Sequence, residues 1–173
     1  MKQAFAVLVI PFCLAVANAA EPLYSYDCDT PPGHFAQWKR TVSGSETTVT
    51  GKLRVVELAK HEKWLPSAGM LLRATGERLP AYGIRLYVSK SSPDEFTLEL
   101  LKIGGRDPIG SGSIPRTKKA LPFSLHLDAS GLLKVSFAGI EGSTRLGAFK
   151  PATFELNCST GEFDFTDTAV VEK

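Results

Sequence analysis

An apolar residue at every second position is the pattern that most restricts this chain. Gly83-Ile84-Arg85-Leu86-Tyr87-Val88-Ser89 alternates without a break, and Phe96-Thr97-Leu98-Glu99-Leu100 repeats the rhythm before running into Leu101-Lys102-Ile103. Phe123-Ser124-Leu125-His126-Leu127 and Leu133-Lys134-Val135-Ser136-Phe137 follow, then residues 153–158 and Phe163-Asp164-Phe165. Successive side chains of a strand point to opposite faces, so this rhythm buries one face and wets the other. Earlier candidates are residues 24–28, 35–42, 47–58 and 70–75. Turn chemistry separates them at Thr30-Pro31-Pro32-Gly33, Ser43-Gly44-Ser45, Ser91-Ser92-Pro93-Asp94 and Gly104-Gly105-Arg106-Asp107-Pro108. About ten short strands at this spacing predict an all-β, antiparallel two-sheet sandwich. Helical spacing is scarce, and residues 56–64 are the best place for a helical turn.

One hairpin can be read to its register. A three-residue loop ending in a left-handed Gly131 sets Leu127 against Leu133, Leu125 against Val135 and Phe123 against Phe137. A two-residue loop would mix apolar and polar faces. The apolar match therefore predicts a positive φ at Gly131. A final hairpin is expected around Ser159-Thr160-Gly161, with an even-numbered loop to unite Phe154, Leu156 and Cys158 with Phe163 and Phe165.

Residues 1–19 read as a secretory signal. Lys2 supplies the positive start, residues 4–17 are uncharged and apolar, and Ala17-Asn18-Ala19 offers small residues for cleavage after Ala19. The apolar run is short of the roughly 20 residues that span a bilayer. Cys13 follows bulky Ile10-Pro11-Phe12 where a lipoprotein box needs small residues. Residues 20–173 are then expected as a single β-sandwich domain, exported to the periplasm or beyond, without membrane insertion. That chain keeps two cysteines, Cys28 and Cys158, and an oxidising compartment predicts one disulfide between them. Closing so long a loop would stabilise the fold by roughly 5 kcal/mol on the chain-entropy model. It also requires the first and last structured segments to be neighbours.

Lys plus Arg is 20 against 18 for Asp plus Glu, a formal charge of +2. Such a balance excludes a polybasic nucleic-acid or membrane footprint. Loss of Lys2 brings the charge to about +1, which steers no partner.

The stretch from Phe123 to Gly139, with its Asp128-Ala129-Ser130-Gly131 turn between apolar strands, resembles the central hairpin of concanavalin A-like lectins and glucanases. The resemblance implies a two-sheet jelly roll whose first and last strands lie close together. It also implies glycan binding or glycan hydrolysis on the concave sheet.

Retaining glucanases of that superfamily carry Glu-x-Asp-x-x-Glu, and that motif does not occur here. Glu95 and Glu99 lie about 13 Å apart along a strand, too far for a nucleophile and acid pair. No catalytic residue, metal ligand or cofactor is therefore assigned. Asp27, Asp29, Glu162, Asp164 and Asp167 form the main acidic group, read as a solvated face with Lys39 and Arg40 as counter-charges. His34, His61 and His126 are read as surface residues, and Gly110-Ser111-Gly112 with Gly104-Gly105 as hairpin loops. Ligand-binding candidates are Trp64, Tyr87, Arg85 and Trp38, because sugar C–H faces stack on aromatic rings. The leading expectation is a non-catalytic binding domain for a cell-envelope or extracellular glycan. Runners-up are a structural or protein-interaction domain of an envelope assembly, and a glycan-active enzyme.

Overall fold

The computed structural model describes residues 23–74, 80–103, 110–147 and 149–173; the signal expected at residues 1–19 lies outside them, as does Gly104-Gly105. Ten strands follow one another: β1 (Tyr24–Thr41), β2 (Thr47–Leu58), β3 (Ser67–Arg73), β4 (Ala81–Tyr87), β5 (Glu95–Ile103), β6 (Gly110–Pro115), β7 (Leu121–Leu127), β8 (Leu132–Phe137), β9 (Ile140–Arg145) and β10 (Thr153–Glu172). All pairings are antiparallel.

The strand order explains how two layers arise from one hydrogen-bonded network. Residues 153–159 of β10 pair with β3, and residues 161–172 of the same strand pair with β2. Strand β1 runs along the other side of β10 throughout. The first sheet is therefore β6-β5-β4-β3-β10-β1, and the second is β9-β8-β7-β2-β10-β1. Far from the shared pair the layers meet again, where Leu100 of β5 lies over Gly142 of β9 and Ile140 over Gly112. Phe96, Phe137, Phe154, Phe163 and Phe165 fill the space between, all fully buried.

The shared strands turn a corner at residues 30–35 of β1 and 160–161 of β10. Gly33 (φ +77°) and Thr160 (φ +58°) take left-handed backbone there. Buried hydroxyls satisfy the bent backbone: Thr30 Oγ1 donates to the Gly161 carbonyl at 3.0 Å, Thr160 Oγ1 accepts from Gly33 N at 3.2 Å, and Ser159 Oγ donates to the His34 carbonyl at 2.8 Å. The Cys28–Cys158 disulfide spans the bend, joining the β1 arm of the second sheet to the β10 arm of the first, with Cα atoms 6.1 Å apart.

Four sequence expectations are corrected here. Ser159-Thr160-Gly161 closes no hairpin; β10 runs on through it. Phe154 and Leu156 differ in parity from Phe163 and Phe165 because the corner passes the strand from one layer to the other, so both sets still face the core. Thr30-Pro31-Pro32-Gly33 is likewise a bend within β1 rather than a break between strands. Residues 56–64 hold no helical turn, and Gly110-Ser111-Gly112 belongs to β6.

The β7–β8 hairpin has the expected register, pairing Leu127 with Leu133, Leu125 with Val135 and Phe123 with Phe137. Asp128 Oδ1 accepts from Ser130 N at 2.8 Å and Leu132 N at 3.0 Å, and Gly131 has φ +77°. A Cβ at Gly131 would overlap the Gly147 carbonyl, whereas one at Gly139 (φ +87°) would meet nothing within 4 Å. Gly131→Ala should therefore cost about 3 kcal/mol and Gly139→Ala about 1 kcal/mol, the backbone strain alone. Urea denaturation of the two variants measures the difference.

Candidate functional site

The loop between β2 and β3 is anchored on the corner. Ala59 N donates to the Thr160 carbonyl at 3.2 Å. The His61 ring lies against Gly33, where a Cβ would come within 2.8 Å of Nε2. His61 Nδ1 accepts from Lys63 N at 3.2 Å and from Trp64 N at 3.1 Å. One imidazole thus fixes the backbone that presents Trp64, whose side chain is left 47% exposed.

Trp64 lines an open cleft of about 410 Å³ at the end of the sandwich. Leu58, Leu65, Pro66 and Val88 give it apolar walls. Lys60, His61, Lys90 and Arg116 supply its polar groups. Lys90 Nζ donates to the Glu62 carbonyl at 2.7 Å, and an Arg116 guanidinium nitrogen donates to the Pro93 carbonyl at 2.9 Å. Each cation is thereby oriented while keeping further donors.

Arg85 and Tyr87 stand on the outer face of the first sheet, on β4. Tyr87 is the last residue of that strand, next in sequence to Val88 of the cleft. The Arg85 guanidinium covers the Tyr87 ring at 4.8 Å, and its Nε is 3.5 Å from Glu99 Oε2. Tyr87 Oη donates to Glu99 Oε1 at 3.0 Å. Burial, then the bond to Glu99 and that carboxylate's charge, push the Tyr87 phenol above its usual range. Trp38 takes the opposite parity. It pairs with Leu156 and packs on Phe154 (6.3 Å between ring centres) and Tyr24 (5.5 Å), facing the core side of the sheet.

Farther along the same outer face, Glu155 is 1% exposed. Arg73 clasps it with two bonds of 2.8 and 3.1 Å, and Lys39 Nζ lies 3.3 Å away. Burial alone would raise the Glu155 carboxyl, but Arg73 and then Lys39 outweigh it and hold the group below its ordinary range.

The acidic residues do gather once the terminal strands pair: Asp27 faces Asp164 and Asp29 faces Glu162. Carboxylate oxygens of Asp27, Glu162 and Asp164 lie within 4.8 Å of one another. Their counter-charges differ from those expected. Lys39 serves Glu155 on the other sheet, while Arg54 binds Asp164 and Lys52 pairs with Asp167 at 2.9 Å. Arg40 sits over the Tyr24 ring at 5.1 Å. Desolvation, then repulsion from Asp27, Asp29, Asp164 and Glu57, raises the Glu162 carboxyl.

His61, Lys90, Arg116 and Glu99 carry no assigned role in the sequence reading. For His61 a signal exists: a His three residues before Trp64 can accept from the backbone of its own turn. His34 is exposed as expected; His61 and His126 are half-buried, with His126 Nδ1 2.8 Å from Thr48 Oγ1.

No protein-family model and no curated protein matches the sequence. Solved structures do match. The CBM2 module of the evolved Dit of Lactobacillus casei BL23 phage J-1 has TM-score 0.60 at 11% identity, over 87% of this chain and 79% of that one. The carbohydrate binding module CBM66 from Bacillus subtilis has TM-score 0.56 at 9% identity, over 87% and 91%. The marine PL7 alginate lyase from Zobellia galactanivorans has TM-score 0.53 at 11% identity, over 87% and 78%. The resemblance to concanavalin A-like jelly rolls is thus one of fold, over 87% of this chain.

Two outcomes follow from the paired and the clustered carboxylates. Arg73→Met leaves buried Glu155 without its bidentate partner and should cost about 3 kcal/mol in urea denaturation. The raised Glu162 carboxyl means the folded state holds that proton more tightly than the unfolded one, so ionisation destabilises the fold as pH rises. Glu162→Gln should melt above the wild type at neutral pH, and the two should converge near about pH 3, where the carboxyl is protonated in both states.

Proposed function

We propose that the chain is an exported, non-catalytic glycan-binding domain, with residues 1–19 removed and residues 20–173 forming one β-sandwich. The observation that carries this reading is Trp64: a half-exposed indole held by His61 beside an apolar-walled cleft. Sugars present C–H faces to such a ring, and a fixed ring binds without a large ordering cost. Carbohydrate-binding modules among the structural neighbours support the same class. Arg85 and Tyr87 extend the surface beyond Val88, whereas Trp38 serves packing.

The non-catalytic reading is supported by how the carboxylates of the first sheet are used. Glu155 is locked between Arg73 and Lys39, and Glu99 is engaged by Tyr87 and Arg85. Export is supported by the disulfide together with the signal pattern. Among the described residues, no helix is long and apolar enough to cross a membrane.

Trp64→Ala should abolish binding on a glycan array and leave the melting temperature nearly unchanged. A large loss of stability would instead assign Trp64 to packing, and unchanged glycan binding would remove it from the site.

A further inference from the structure

The near-neutral composition conceals a segregation of charge. On the second sheet, Asp27, Asp29, Glu57 and Asp164 lie close enough to Glu162 to repel its carboxylate. The cleft has the opposite character. Lys60, Lys90 and Arg116 line it, and no Asp or Glu is among its described lining residues. The adjoining groove shares Leu58 and Arg116 with the cleft and adds Lys118 against a single acid, Asp94. Lys60 has no hydrogen bond or ion pair among the described residues. The bonds of Lys90 and Arg116 go to neutral backbone carbonyls, so neither positive charge is neutralised there.

We infer that this cleft selects an anionic saccharide, a uronate-type oligosaccharide whose ring stacks on Trp64 while its carboxylates meet Lys60, Lys90 and Arg116. The inference rests on the glycan-binding reading of the same cleft and names its ligand class. Three cations around an apolar wall fit that chemistry on two counts. A carboxylate takes charge-assisted bonds from ammonium and guanidinium groups, and the sugar ring keeps an apolar face for the indole. A neutral glycan could accept hydrogen bonds from these groups but would leave the three charges uncompensated. The protein's overall charge of +2 cannot supply this preference; only its local arrangement can.

The test is calorimetric titration of the full exported chain with oligogalacturonate and oligomannuronate, each beside its carboxyl-reduced neutral counterpart. Titrations run at low salt and at about 150 mM salt, where surface charges are screened within about 8 Å. At low salt the uronates should bind about tenfold more tightly than their reduced forms, and the preference should shrink at high salt. Lys60→Gln, which breaks no hydrogen bond or ion pair among the described residues, should weaken uronate binding about threefold more than it weakens binding of the reduced form. Lys90→Gln and Arg116→Gln should act in the same direction. Equal binding of acidic and reduced forms at both salts overturns the anionic preference and leaves glycan binding standing. A preference that survives in all three variants places the cations elsewhere and also overturns it. Binding of neither class overturns both this inference and the reading it rests on.

Discussion

The corner in the β1–β10 pair is the constraint on which the remaining architecture hangs. Two strands cannot pass from one layer to another without leaving the extended conformation, and bent backbone inside a protein must still satisfy its polar groups. Gly33 and Thr160 provide the left-handed residues, and the hydroxyls of Thr30, Ser159 and Thr160 provide the partners. The disulfide then fixes the separation of the two arms across the bend. With the corner set, β2 and β3 add to opposite ends of β10, and each starts the sheet that its hairpins complete.

The same corner places the cleft. Ala59 bonds to the Thr160 carbonyl and His61 rests on Gly33, so the loop bearing Trp64 is referenced to the corner. A cleft built this way would need little reorganisation to accept the proposed ligand. Charge is sorted by the same topology. Pairing the terminal strands concentrates carboxylates on the second sheet, while the ends of β2, β4 and β6 bring Lys60, Lys90 and Arg116 together at the cleft.

Much of the fold was legible because strand alternation is local. The β7–β8 register follows from matching Phe123, Leu125 and Leu127 to Phe137, Val135 and Leu133 through one glycine, all within 15 residues. The outward parity shared by Arg85 and Tyr87 was legible for the same reason. Their partner Glu99 was not, since only the β4–β5 register sets Arg85 opposite it. The reading of Ser159-Thr160-Gly161 failed because turn-forming residues serve a bend within a strand as well as they serve a loop between strands. Local composition carries no signal that separates the two. The parity flip between Leu156 and Phe163 was visible, but its cause is the change of layer, a property of the assembled sandwich.

What the amino-acid sequence determined by itself was the all-β class, the antiparallel rhythm, the pairing of Cys28 with Cys158 and the inward set of apolar side chains. Each depends on neighbours in the chain or, for the cysteines, on the proposed removal of Cys13, which leaves a single partner. Tertiary structure alone decided that β10 belongs to two sheets, that Trp38 turns toward the core side while Trp64 stays exposed, and that three distant cations share one cleft. Those outcomes depend on which segments meet across space. Burial energy selects that arrangement for the molecule as a whole, and no window of sequence contains it.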